Sequence, residues 1–349
     1  MDEGLLILGD HLADPHTGMR SSQAERHRQF VELGAYSEVL GFDSIWLGEH
    51  HLCDYILSSP PVVLAAIAER TRRLRLGTAV TLLGTLDPVR AAEDYATVDA
   101  LSGGRLEVVA GRGVLKRTYR DFGLDPADSR ELYGENVELL LRLWTETDVH
   151  WSGTFRAPLD GVTVAPAPVQ KPHPPLWIGG GSSFDSIDLA ARLGLPLMLP
   201  SVLAPPEAFA PMVERYRERF AAAGHRDASP RVGACSHVHV GVDSETARRV
   251  WRPYHLNYLG WVAGLMAQAG VNIDSGGAAP PSLDFERLIR GPSVCGSPAE
   301  VSDRILGMRE RLGLDLHIAM FDHGGMPEKL VLETLELFAS RVLPAISAA

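Results

Sequence analysis

Short apolar segments alternate with amphipathic helical patterns eight times along this chain of 349 residues. We predict the strands at 4–10, 43–47, 73–80, 105–111, 175–181, 195–200, 231–242 and 314–321. The helices that follow are predicted at 22–40, 60–70, 87–102, 129–144, 182–194, 205–224, 243–266 and 326–344. Regular alternation of this kind indicates a parallel sheet covered by helices, and eight such units over this length indicate a (β/α)8 TIM barrel. We therefore predict one barrel domain over residues 1–349.

Two segments do not fit the repeat. Residues 149–175 are rich in proline and contain short strand-like pieces, so we predict an inserted hairpin followed by an extended lead-in. Residues 269–297 are rich in Gly, Pro and Ser and form a long loop in the seventh strand-to-helix connection. Long irregular stretches in compact domains are often functional. A lid over the site and an ordinary surface loop both remain open for this segment.

A barrel of this type has its site where the strands run into the following loops. The stretch GFDSIWLGEHHLCDY (41–55) places Glu49, His50 and His51 at such a junction. Histidine titrates near neutral pH, so His50 is a candidate for acid–base chemistry. Position alone leaves a functional and a structural role open for His50, and it favours a structural role for His51.

A metal site is the alternative interpretation of the histidines. Neighbouring residues on an extended chain point to opposite sides, so His50 and His51 do not share one ion easily. His237 and His239 do alternate onto one face of a predicted strand, but no carboxylate or lysine evidently completes a set. The sequence contains no HExxH motif. We predict no metal site.

Two strand ends carry residues that suit an anion. Arg112 lies between two glycines directly after the predicted strand 105–111. Ser182, Ser183 and Ser186 follow a glycine run at the start of a predicted helix. Free N–H groups and the positive end of the helix dipole bind phosphate. A tight glycine turn with a serine cap is the plainer alternative, and Arg112 at a separate strand end favours the anion site.

Charge and composition exclude several classes of function. The formal net charge is −11 and no run of Lys or Arg offsets it, so we predict neither nucleic acid nor membrane binding. No apolar run reaches the ~18 residues of a transmembrane helix. Three cysteines without a CxxC pair, and a start unlike a signal peptide, predict a cytoplasmic protein.

The predicted helix 60–70 is apolar nearly all round, because it contains the run VVLAAI. A helix of this kind is buried on two sides, against its own barrel and against another surface. We predict a homodimer from this pattern.

Six phrases, taken in order, resemble the luciferase-like flavin-dependent monooxygenases, the bacterial luciferase family. They are GFDSIWLGEHH, RLRLGTAVTLL, DPVRAAEDYATVDALSGGRLEVVAGRG, FGLDPADSRELYGENVELLLRLW, IGGGSSFDSIDLAARLGLPLM and CGSPAEVSDRI. They span nearly the whole chain in the order and spacing of the family.

The resemblance implies a (β/α)8 barrel that binds FMN at its C-terminal mouth. His50 matches the catalytic histidine of the luciferase α-type subunit, and Arg112 matches the arginine that binds the FMN phosphate. Further phosphate contacts fall at Ser182, Ser183 and Ser186, with Ser182 where luciferase has Glu. The peptide between Ala79 and Val80 matches a non-proline cis bond beneath the flavin ring.

The implied chemistry begins with reduced FMN delivered by a separate flavin reductase. Reduced FMN and O2 form a C4a-peroxyflavin, which oxygenates a small organic substrate while His50 manages a proton. The absence of a GxGxxG phrase after any predicted strand is consistent with reduction by a partner.

One departure from the family bears on the site, and three alternative functions remain. Gly111 stands where luciferase has a reactive cysteine, which predicts a wider space near the flavin. The first alternative is a deazaflavin-dependent oxidoreductase on the same fold. The second is a metal-dependent hydrolase that uses His237 and His239. The third is a non-catalytic partner subunit, against which the presence of His50 argues.

Overall fold

The computed structural model describes residues 1–181, 183–202, 204–226, 228–269 and 283–348. The strands are β1 Asp2–Ile7, β2 Ser44–Leu47, β3 Arg75–Leu82, β4 Leu106–Gly111, β5 Val149–Trp151, β6 Leu159–Val162, β7 Leu176–Gly179, β8 Leu197–Leu199, β9 Val232–Val240, β10 Val294–Gly296 and β11 Leu316–Met320. The helices are α1 Gln23–Leu40, α2 Pro60–Arg70, α3 Pro88–Ser102, α4 Lys116–Asp121, α5 Ser129–Thr145, α6 Phe184–Leu193, α7 Ala210–Ala223, α8 Ser244–Ala269, α9 Phe285–Arg290, α10 Pro298–Leu312, α11 Glu328–Arg341 and α12 Leu343–Ala348. Within these ranges, no helix combines the length and apolar character needed to span a bilayer.

Eight of the strands close into a parallel barrel. They pair in the order β1, β2, β3, β4, β7, β8, β9 and β11, and β11 pairs again with β1. Each barrel strand lies within or next to one of the eight apolar segments of the sequence, so the predicted (β/α)8 barrel is confirmed. The extent of the domain over 1–349 stays a prediction.

Local signals set the helix ends that feed the strands. In α1, Ser22 accepts a hydrogen bond from the Glu25 N–H while the Glu25 carboxylate accepts from the Ser22 N–H. This reciprocal pair satisfies two N–H groups that the helix leaves open. Gly41 then ends α1 with a φ of 88°, a left-handed value that favours glycine. The chain can therefore turn directly into β2, which carries the EHH stretch.

The two segments outside the repeat have different outcomes. Strands β5 and β6 pair antiparallel, which confirms the inserted hairpin within 149–175. Residues 270–282 of the predicted long loop 269–297 lie outside the described residues, and so does any lid they form. Residues 285–290 and 294–296 form α9 and β10, and β10 adds to β9 in parallel. The expectation of an irregular segment was therefore wrong for that part.

Aromatic side chains fill the barrel interior away from the strand ends. The Trp46 and Trp177 rings meet edge to face, with centroids 6.4 Å apart. A Cβ at Gly77 would lie 2.1 Å from the Trp46 ring, so glycine makes room for it. The indole of Trp177 donates to the Glu107 carboxylate at 2.8 Å. This packed layer leaves the carboxyl ends of the strands as the open part of the barrel.

Candidate active site

A cavity of about 490 Å³ lies at the carboxyl ends of the barrel strands. Its volume suits a drug-sized ligand or cofactor. Loops after six of the barrel strands contribute to its wall through Leu8, His50, Thr85, Arg112, Gly180 and Pro200. The sequence placed the site at this end, and the cavity is where it was expected.

His50 lines this cavity as a neutral imidazole. Its ring stacks on Tyr55 with centroids 3.8 Å apart and an interplanar angle of 18°. Its Nδ1 is enclosed without a hydrogen-bond partner in the described structure. Burial and then the nearby His51 lower the pKa of His50 to about 3, because the imidazolium loses its hydration. In the ligand-free protein, His50 is therefore neutral and can accept a hydrogen bond from a ligand.

Glu49 joins the loop after β2 to the end of β3. One carboxylate oxygen lies 2.7 Å from His51 Nε2, and the other accepts from the Leu82 N–H at 3.0 Å. The Glu49 N–H donates to the Val80 carbonyl at 3.2 Å. Glu49 therefore links His51 to the end of β3 beside His50. The sequence had left the role of Glu49 open.

The end of β3 carries the Ala79–Val80 peptide, which is cis as the resemblance implied. Both residues line the cavity, and their contact with a flavin stays a prediction. The expected widening at Gly111 was wrong. A Cβ at Gly111 would lie 2.4 Å from Val80 Cγ2, so the Val80 side chain already occupies that space.

Arg112 lines the cavity directly after β4. The Tyr119 hydroxyl donates to the Arg112 carbonyl, and the Tyr133 hydroxyl donates to the Ala110 carbonyl at 2.9 Å. The backbone is therefore held from the helices behind it. No carboxylate in the described part of the chain forms an ion pair with the guanidinium. A half-buried, permanently charged group without a partner is suited to receive an anion.

The turn from β7 into α6 provides a second cationic element. Gly179, Gly180 and Gly181 line the cavity, and a Cβ at Gly181 would lie 2.5 Å from Pro200 Cδ. Ser183 is the N-cap residue of α6, but its side chain makes no capping hydrogen bond. The N–H groups of the first helical turn therefore lack a side-chain cap, and the helix end is positive.

The structure separates the three predicted serines. Ser186 lines the cavity, whereas Ser183 occupies the N-cap position and is not part of the cavity wall. Ser182 lies outside the described residues. Contacts of all three with a phosphate stay predictions.

His237 and His239 lie buried on β9, behind the cavity. Burial lowers the pKa of His237 to about 3 and that of His239 to about 4, so both are neutral. The rings of His255 and His323 each lie 5.1 Å from the His237 ring. Even so, no three His, Cys, Asp or Glu side chains among the described residues are arranged to hold a metal. The metal-dependent hydrolase therefore has no ligand set in the described ranges.

Sequence reasoning missed two parts of the site. Tyr55, five residues after His50, lines the cavity and covers the imidazole. The end of α8 supplies an apolar wall through Val262, Leu265 and Met266. The helix itself was predicted, but nothing in its pattern indicated which turn reaches the strand ends.

A family model described as luciferase-like monooxygenase matches residues 1–316. The alkanal monooxygenase alpha chain of Photorhabdus luminescens is 32% identical over 209 residues, which cover 58% of this chain and 56% of that one. The chain thus spans about half the length of several curated relatives it matches. The oxygenase component of the flavin-dependent trigonelline monooxygenase of Acinetobacter baylyi is 27% identical over 94% of this chain and 92% of its own.

Solved structures resemble this chain over its whole length. Monooxygenase RslO1 from Streptomyces bottropensis superposes with a TM-score of 0.83 and 29% identity, covering 99% of both chains. The oxygenating constituent of 3,6-diketocamphane monooxygenase from Pseudomonas putida, in complex with FMN, has a TM-score of 0.78, 18% identity and coverage of 99% and 98%. An F420-dependent secondary alcohol dehydrogenase reaches 0.73 at 19% identity, with the same coverage. The last two likenesses concern the fold.

Proposed function

Because the chain belongs to the luciferase-like monooxygenase family, we propose that it is the oxygenase component of a two-component flavin monooxygenase. The proposed cofactor is reduced FMN supplied by a separate flavin reductase, and the proposed substrate is a small organic molecule. The relative named as an oxygenase component supports the division of labour with a reductase. The FMN complex of a protein with the same fold supports the choice of cofactor.

The observation that carries the proposal is that the Arg112 guanidinium, which forms no ion pair with a carboxylate in the described ranges, lines the same cavity as His50 and Ser186 at the start of α6. A phosphate monoester is a dianion, and an arginine fork together with uncapped helical N–H groups matches its charge and its acceptors. The glycines of 179–181 let this turn pack closely on its neighbours, since a Cβ at Gly181 would lie 2.5 Å from Pro200 Cδ. The described residues therefore fit the phosphate end of FMN, which Arg112, Ser186 and the first turn of α6 would hold.

Reduced flavin, when bound, supplies the electrons that activate O2. The protein's own contribution lies in its side chains. His50 would hold or release a proton at an imidazole nitrogen next to the reacting groups. The apolar wall of Val262, Leu265 and Met266 would keep water away from them.

Two measurements test this function. FMN and a deazaflavin cofactor are titrated against the protein by fluorescence, and FMN is expected to bind more tightly. The protein with photoreduced FMN is then mixed with 18O2 and a panel of aldehydes, ketones and aromatic compounds. One 18O atom is expected in a product. Preference for the deazaflavin without oxygen incorporation would establish the alternative, a deazaflavin-dependent oxidoreductase on the same fold.

We further propose that two copies form a homodimer through the outer face of α2. This helix packs on α1, α3 and β3, so its other face carries Val62, 68% exposed, and Ala66. Sedimentation velocity at micromolar concentration should show a dimer, and a monomer would contradict the proposal. The cytoplasmic location stays a prediction.

A further inference from the structure

The ring of Tyr55 is fixed between the cavity and the interior of the protein. Its hydroxyl lies 2.6 Å from the hydroxyl of Tyr258 on α8, and both side chains are buried. The edge of Trp261 meets the same ring at a centroid distance of 4.5 Å. The Tyr55 side chain cannot swing to another χ1 rotamer without breaking the buried hydrogen bond to Tyr258.

The backbone around Tyr55 is fixed as well. Tyr55 forms an antiparallel bridge with Asp10, in the segment after β1. The Ile56 N–H donates to the Gly9 carbonyl at 2.9 Å. The loop 50–57 is therefore tied to a neighbouring strand end rather than extending freely from its own strand.

We propose that Tyr55 is a positioning residue for His50. Its ring, clamped by Tyr258, covers one face of the imidazole, excludes water from that face and keeps the ring in a single orientation. Of the two imidazole nitrogens, Nδ1 is enclosed, which leaves Nε2 for a ligand in the cavity. The positioning follows from the described contacts, and its consequence for turnover rests on the proposed function.

The charged and titratable groups near His50 agree with this arrangement. The Glu49 carboxylate lies 2.7 Å from His51 Nε2 and accepts a hydrogen bond from the Leu82 N–H at 3.0 Å. The charge of Asp10 contributes to the raised pKa of Tyr55 and of Tyr258. Burial raises the pKa of Asp10 itself to about 7. Burial raises the pKa of both tyrosines far above the physiological range, so both hydroxyls stay protonated and able to hydrogen-bond. Burial is therefore the main cause of the lowered pKa of His50, and the stacked Tyr55 ring is part of that burial.

The test is an NMR titration of His50 in the ligand-free protein with labelled histidine, assigned with a His50→Gln variant. Tyr55→Leu opens the covered face, so the titration midpoint should rise from well below neutrality toward 6.5, the ordinary value for histidine. Tyr55→Phe keeps the stacked ring and loses the hydroxyl, so it should shift the midpoint much less. Tyr258→Phe removes the same hydrogen bond from the other side and should match Tyr55→Phe.

Turnover supplies a second readout. In Tyr55→Leu we expect kcat to fall by ~10–100-fold because His50 is misplaced, while the FMN dissociation constant stays unchanged. Tyr55→Phe should recover most of the lost activity. A folded Tyr55→Leu protein, checked by near-UV circular dichroism, whose His50 titrates as in the wild type would overturn the proposal. Since the titration needs neither flavin nor oxygen, this outcome is separate from a failure of the monooxygenase assignment.

Discussion

At the scale of single residues, Arg112 has a fixed backbone and a charged side chain that lines the cavity. Its backbone carbonyl is fixed by Tyr119, and no described carboxylate neutralises its guanidinium. Arginine stays protonated at any physiological pH, so it cannot avoid the cost of partial burial by losing its proton. A bound anion would offset that cost, which supports the proposed phosphate site.

Replacing this charge should weaken the binding of phosphorylated flavin specifically. Hydrogen bonds to charged groups contribute about 1.5–3 kcal/mol. Arg112→Ala should therefore raise the FMN dissociation constant by ~10–100-fold, measured by quenching of flavin fluorescence. Riboflavin lacks the phosphate, so its affinity should not change.

The control is Arg120→Ala, which removes an exposed arginine from α4 and should leave both affinities as they are. Equal losses for FMN and riboflavin in Arg112→Ala would show that the guanidinium does not bind the phosphate.

The sequence predicted the residues whose signal is their place at a strand end. His50 and Arg112 follow buried strands directly, and a barrel brings such ends to one mouth. Tyr55 and Glu49 acquire their roles from contacts with other elements of the fold, such as the bond from Tyr55 to Tyr258 on α8, between residues 203 positions apart. A single sequence carries no pattern for contacts of that kind.

At the scale of elements, β3 and β4 pack closely because a valine on β3 faces a glycine on β4. Val80 on β3 fills the space above Gly111 on β4. Gly111 is thus a packing partner of a cavity-lining residue. The same pair explains why glycine at 111 does not enlarge the cavity.

A methyl group at 111 should therefore destabilise the barrel. Gly111→Ala would place Cβ 2.4 Å from Val80 Cγ2, and overpacking of this kind costs about 1–3 kcal/mol. Urea unfolding followed by circular dichroism measures the change. Gly134→Ala in α5 is the matched control, because its Cβ meets nothing within 4 Å. The control should stabilise the helix by ~0.5–1 kcal/mol.

Adding Val80→Ala to Gly111→Ala should recover part of the lost stability, since the 2.4 Å contact with Cγ2 is removed and the 2.8 Å approach to the Cβ of residue 80 remains. If the two substitutions were simply additive in their destabilisation, the packing explanation would be wrong.

Three elements that the sequence did not predict, α4, α9 and β10, are all short. The barrel strands are buried apolar runs, and the long helices show periodic patterns that a sequence displays plainly. Helices α4 and α9 have six residues each, and β10 has three. Segments this short contain too few residues to show a period, so tertiary packing determines their conformation.

At the scale of the whole molecule, burial shifts the pKa of more histidines than carboxyl groups among the described residues. Five buried histidines have a pKa below the ordinary value of 6.5 because burial disfavours the cation: His50, His237, His239, His255 and His323. Two buried carboxyls, Glu3 and Asp10, have a raised pKa for the same reason. The two groups act on stability in opposite directions as the pH falls.

The protein should lose stability steeply below pH 6.5. There the unfolded histidines take up protons that the folded ones refuse, so each histidine lowers the unfolding free energy by up to about 1.4 kcal/mol per pH unit. The raised pKa of Asp10 works the other way between about 7 and 3.8, since the folded carboxyl keeps its proton. The five histidines together therefore lower the unfolding free energy by more than the two carboxyl groups raise it as the pH falls.

Urea unfolding at pH 7, 6 and 5 measures this slope. His237→Leu should make it shallower, and because neither ring nitrogen has a partner the substitution breaks no hydrogen bond. A wild-type stability that stays flat from pH 7 to 5 would contradict the burial argument.

The interior of the barrel is built at one end by Trp46, Trp177 and the glycine that admits the Trp46 ring. The cavity residues lie at the other end, in loops that follow separate strands. Substitutions in one loop therefore leave the tryptophan layer untouched. A lineage with this architecture can drift toward new substrates by mutating its loops one at a time, while the inherited foundation keeps each descendant folded.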